Sequence, residues 1–111
     1  MALVLTPVHL FRAGNKTYPR FEQLKAGEVL IQNRNGIDWV IARSGGASTK
    51  EAPIGLRGTW WRLARGTLYN DSVFFIHNDY DDHWSWEPAR DMLLSAFVTA
   101  LSALNPEFVR V

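Results

Sequence analysis

Val73-Phe74-Phe75-Ile76-His77, Asn78-Asp79-Tyr80-Asp81-Asp82 and His83-Trp84-Ser85-Trp86-Glu87-Pro88 follow one another and read as strand, turn and strand. The first block is β-branched and aromatic, the second acidic and turn-forming, and the third alternates polar with large apolar residues as a half-buried strand does. Pro88 ends it. From Asp91 the period changes: Leu93, Phe97, Ala100 and Leu104 recur at helical spacing, with Leu94, Val98 and Leu101 widening the stripe,. Asn105-Pro106 closes that helix. A strand-rich middle closed by one C-terminal amphipathic helix predicts an α+β domain with a largely antiparallel sheet.

Upstream, Ala2 to Arg12 reads as a first, edge strand interrupted by Pro7, and Ala13 to Pro19 is turn material,. Pro19 can open a short helix through Phe21 and Leu24 that Gly27 stops. Val29-Leu30-Ile31 and Trp39-Val40-Ile41 flank Asn33-Arg34-Asn35-Gly36, and Asn-Gly between apolar runs predicts a hairpin. Residues 43–58 carry Ser44-Gly45-Gly46-Ala47-Ser48-Thr49, Pro53 and two further glycines, and read as a surface loop. Thr59 to Leu63 is a strand, with a turn at Arg65-Gly66.

Composition narrows the function classes. At 111 residues the chain fits one domain, 1–111, and needs neither metal nor disulfide to hold a core,. Its lack of cysteine removes thiol nucleophiles and thiolate zinc sites,. The apolar start lacks a basic n-region and reads as a strand rather than a signal peptide, and no run is long enough to span a membrane. A formal charge of +1 argues against nucleic acid as the partner,. Five tryptophans beside six phenylalanines and three tyrosines are a heavy aromatic load for a domain this small, most of it expected in the core, with a few rings available to line a pocket,.

Several residues carry chemistry. His9, His77 and His83 lack the helical spacing of a zinc pair, and Asp79, Asp81 and Asp82 lack a calcium loop's glycine and distal glutamate, so no metal site is expected,. The Gly45-Gly46-Ala47-Ser48-Thr49 loop could offer backbone donors and hydroxyls to a phosphate or ribose, although its pattern alone favours a flexible connection. Arg12, at a strand end, could fork onto a pyrophosphate or carboxylate, or form a surface salt bridge. Glu87 could be a buried acid beside Trp84 or Trp86, or stand exposed on the face of Ser85. His83 follows three aspartates, one of which could orient it.

Leu10-Phe11-Arg12, Gly45-Gly46-Ala47-Ser48 and the run from His83 through Glu87 to Met92 occur in that order, and the order resembles small bacterial ADP-ribosyltransferase-like toxins. These are type VI secretion effectors and toxin-antitoxin toxins, whose fold is similar to the catalytic fragment of diphtheria toxin. The resemblance implies a split sheet with a NAD-binding cleft, a target in the cytoplasm of the intoxicated cell, and a cognate immunity protein or antitoxin. It also implies a catalytic set of Arg12, Ser48 and His83, with Glu87 as the candidate acid. Cleaving the nicotinamide-ribose bond passes through an oxocarbenium-like state, so Arg12 would hold pyrophosphate, Ser48 a ribose hydroxyl, and Trp60, Trp61 or Trp84 the nicotinamide ring. These residues can share a cleft only if the first and late strands are neighbours.

Two other readings stay open. A toxin ribonuclease would use His83 or His77 as acid or base, with Arg57, Arg62 and Arg65 on the phosphate. A non-enzymatic immunity or inhibitor protein would anchor exposed tryptophans in a partner's pocket.

Overall fold

The computed structural model describes residues 3–53 and 58–111. The late hairpin forms as the alternation predicts, β8 (Phe74–Tyr80) pairing antiparallel with β9 (His83–Pro88). It is longer than expected: Asn78, Asp79 and Tyr80 stay extended, a register irregularity between Asn78 and Tyr80 takes up the extra residue, and Asp81 turns the chain with a φ of 42°,. Acidic composition marked the turn but not its length.

Four more strands complete the main sheet: β2 (Leu10–Gly14), β5 (Ala47–Lys50), β6 (Thr59–Leu63) and β11 (Phe108–Arg110). The order is β11-β6-β2-β5-β9-β8, every pair antiparallel. Strand alternation puts Leu10, Leu63, Phe108, Ala47, Trp86 and Phe74 on one face, all buried,. Trp86 is the hub, its ring meeting Phe21, Tyr69 and Phe74 edge-on at 5.2, 5.4 and 5.4 Å,.

The helix α1 (Leu94–Ser102) closes this core with fully buried Phe97 and Leu101. It is shorter than the predicted span from Asp91 to Leu104. Met92 and Leu93 form the short strand β10 against β4 (Ile37–Val40), whose other neighbour is β3 (Ile31–Arg34). Asp91 lies before the helix, where its carboxylate accepts the Ala42 N–H at 2.9 Å and meets Arg34 at 2.7 Å. The predicted hairpin is therefore correct, with Gly36 at a φ of 81° in its turn, and Asp91 ties it to the helix.

Three further expectations are corrected. The first apolar run is two strands, because Pro7 interrupts it: β1 (Leu3–Leu5) pairs with β7 (Leu68–Asn70), while β2 lies inside the main sheet between β6 and β5,. The segment after Pro19 forms turns rather than a helix, since Arg20 takes a φ of 59° and Phe21 gives its N–H to Asn105 at 3.0 Å while its ring enters the core. The surface loop proposed for 43–58 holds a strand, β5, paired along its length with β9. The result is a compact α+β chain with a radius of gyration of 13.6 Å.

Candidate functional site

β2 pairs with β6 over five residues but with β5 only at Phe11 and Lys50. Beyond that point the two strands no longer pair, and the gap is where Arg12 goes. Its Nη1 donates to the Ser48 carbonyl at 2.9 Å, and its Nη2 to the carbonyls of Arg20 at 3.2 Å and Gln23 at 2.9 Å. Three of the five guanidinium N–H donors are thus spent on backbone, and Nε is buried without a partner among the described residues,. Burial lowers the Arg12 pKa from its ordinary value, against the raising influence of Glu28 and Glu22. The predicted pyrophosphate fork is therefore already occupied: Arg12 braces the opening between the strands and holds the 20–23 turns onto it.

A cleft of about 170 Å³ opens there, lined by Ser48, Lys50 and Trp60 from the sheet and by Lys25 and Glu28 from the preceding loop, with Arg12 in its wall. Ser48 Oγ donates to Glu28 Oε2 at 3.0 Å, and the other Glu28 oxygen accepts the Lys25 N–H. Among the predicted pocket tryptophans only Trp60 lines this cleft. Trp61, opposite Arg12, points to the core face and gives its indole N–H to Asn15, and Trp84, opposite Thr49, packs against the core. Arg57 lies outside the described residues.

Register also fixes what shares a face with Ser48. Ser48 is opposite Ser85, Ser85 is opposite His77, and Lys50 is opposite His83. Ser48, His77, His83 and Glu87 therefore project from the sheet face away from Trp86, whereas Arg12 leaves on the core face and reaches the cleft only because the strands part. His83 Nδ1 lies 2.5 Å from Asp79 Oδ1, and its ring stacks on Tyr80 at 4.6 Å and 8°. The aspartate expected to orient it is Asp79.

Glu87 is buried, yet it is not aimed at the cleft. Its Oε1 accepts the Gly45 N–H at 3.1 Å and its Oε2 lies 2.6 Å from His77 Nε2. Both oxygens are engaged, so any chemistry it influences passes through His77. The sequence reading missed Glu28, Lys25 and Lys50, because only tertiary folding brings the 25–28 loop to β5. The Glu87 and His77 pairing had a signal, since both residues occupy the same alternating set of one hairpin.

Among the described residues no cluster of His, Cys, Asp or Glu could hold a metal ion, and no helix is long and apolar enough to cross a membrane. Compared with known proteins, the chain matches no protein-family model, no curated protein and no solved structure.

Proposed function

We propose that the cleft between β2 and β5 binds the nicotinamide-ribose part of NAD and that the chain is a toxin transferring ADP-ribose to a cytoplasmic target. The observation that carries this reading is the Ser48 and Glu28 pair, a hydroxyl and a carboxylate 3.0 Å apart inside the cleft beside Trp60. Ribose hydroxyls can replace that internal hydrogen bond, and a carboxylate close to C1′ stabilises the oxocarbenium-like state of glycosidic cleavage. Glu28 takes the acid role that the resemblance offered to Glu87.

The cleft is too small for a whole dinucleotide, so it would take one ring and ribose while the pyrophosphate lies outward,. Lys25 and Lys50 are the cations within reach of that position, and Arg12 is the brace behind them. A chain consuming NAD harms any cell that holds it, which calls for a cognate immunity protein or antitoxin.

The test is incubation of the purified chain with NAD, following free nicotinamide, beside an RNA control. Nicotinamide release that is lost in Ser48→Ala supports the proposal. RNA cleavage without nicotinamide release would favour the ribonuclease reading, and neither activity in a folded chain would favour the inhibitor.

A further inference from the structure

The turns after β2 are closely built. Gly14 ends the strand where a methyl group on its α-carbon would lie 2.7 Å from the Tyr18 carbonyl oxygen, and the Asn15 side-chain oxygen accepts the N–H groups of Thr17 and Tyr18 at 2.9 Å each. Arg20 follows with a φ of 59°, a left-handed conformation that side chains disfavour,. In it the Arg20 carbonyl accepts Arg12 Nη2 at 3.2 Å and the Gln23 N–H at 3.1 Å. The Arg20 side chain is exposed yet held: its Nε donates to Gln23 Oε1 at 2.8 Å, Gln23 Nε2 donates to the Tyr18 hydroxyl at 2.7 Å, and that hydroxyl donates to Glu22 Oε2 at 3.3 Å. This relay fixes the guanidinium and leaves both Nη groups without a partner among the described residues. Lys25 Nζ has none there either.

A second hollow, of about 350 Å³, opens among these residues, lined by Arg12, Gly14, Arg20, Gln23 and Lys25. Three cations line it and, among the described residues, no carboxylate does. Glu22 and Glu28, whose charges reach Arg12, are engaged elsewhere: Glu22 by Tyr18 and Asn105, Glu28 by Ser48 and the Lys25 N–H. Burial lowers the Arg12 pKa, and repulsion from Arg20 adds to the lowering, so the fold holds two guanidiniums close enough to oppose each other,. An anion in the hollow relieves that repulsion. We infer that this hollow binds a phosphoryl group, with Arg20 Nη1 and Nη2 forking onto its oxygens, Lys25 as the second cation, and Arg12, whose Nη groups are held by backbone, adding charge from behind. Arg12, Ala13 and Lys25 also line the cleft beside Ser48, so the two cavities adjoin. The phosphoryl group belongs either to a ligand whose other end occupies that cleft, as NAD would, or to a separate phosphate ligand. The anion chemistry is the same in both cases and does not depend on the NAD reading.

The test is calorimetry of the full chain with inorganic pyrophosphate, beside Arg20→Gln, Arg20→Lys and Lys16→Gln, the last an exposed cation outside the hollow. Wild type is expected to bind at millimolar concentration or below, and Arg20→Gln to bind about 10-fold or more weakly. Arg20→Lys should fall between them, because it keeps the charge without the fork, and Lys16→Gln should match wild type. No binding to folded wild type overturns the inference. Equal weakening by Arg20→Gln and Lys16→Gln also overturns it, since that is the mark of diffuse surface charge. NAD and nicotinamide riboside separate the two sources. Weaker binding of NAD but not of nicotinamide riboside by Arg20→Gln assigns the hollow to the pyrophosphate of the dinucleotide. Pyrophosphate binding by a chain that does not bind NAD upholds the hollow as a site for a separate phosphate ligand and removes the NAD reading.

Discussion

Gly46 passes so close to Trp86 that a methyl group on its α-carbon would lie 1.7 Å from the Trp86 carbonyl oxygen. Its neighbour Gly45 is as constrained, with a φ of 119° and a virtual methyl 2.0 Å from the Glu28 carbonyl oxygen. The paired glycines thus serve close backbone approach at the start of a sheet strand, and not flexibility. Gly46→Ala is expected to unfold the chain or shift β5 away from β9, seen as lost dispersion in proton NMR spectra. A folded Gly46→Ala protein with wild-type thermal stability would contradict the observed packing.

Arg12 holds three backbone carbonyls, and removing it strands them beside a gap in the sheet. Arg20 and Gln23 are exposed residues whose carbonyls water can reach once the guanidinium is gone, so Arg12→Ala is expected to lose about 1–3 kcal/mol rather than the sum for three unpaired acceptors,. Lysine has no fork to reach separate carbonyls and should recover only part of this. Urea unfolding of the two variants beside wild type measures it. An Arg12→Ala chain as stable as wild type would return Arg12 to a ligand-binding role.

Phe97 is fully buried in α1, with its ring 5.9 Å from that of Phe74. Truncating it leaves a cavity between helix and sheet, and Phe97→Ala is expected to cost about 3–5 kcal/mol. Phe97→Leu should cost less, because it keeps most of the buried volume. Chemical denaturation gives both values.

Asp91 has a pKa lowered from its ordinary value by the Ala42 N–H first and by Arg34 second. A carboxyl with a folded pKa below its unfolded one stabilises the fold above the unfolded value, and that contribution disappears as pH falls through the folded value. Asp91→Asn keeps an oxygen for Ala42 but removes the charge. Its melting temperature is expected to lie below wild type at pH 7, with the gap shrinking below about pH 4. A gap independent of pH would assign the effect to shape rather than charge.

Glu28 supplies the carboxylate inside the cleft, and Glu28→Gln keeps its shape without its charge. Nicotinamide release is expected to fall about 100-fold or more, while NAD binding measured by calorimetry stays within a few-fold of wild type. Equal loss of binding and rate would make Glu28 a binding group only.

Local pattern carried much of the fold. Alternation in 73–88 gave β8 and β9, Asn35-Gly36 gave the β3 and β4 hairpin, and the Phe97 and Leu101 stripe gave α1, because each depends on residues near one another in the chain,. Sequence alone also brought out Arg12, Ser48, His83 and Glu87 as residues worth locating. What each does was decided by partners far away in the chain. Arg12 became a brace because the strand 36 residues on parts from its own, and Ser48 met a carboxylate 20 residues before it. Glu87 turned to His77 across the hairpin because register set the two on one face. Side-chain chemistry is written in the residue, but whether a guanidinium or carboxylate is free to act depends on which backbone groups folding leaves unpaired beside it.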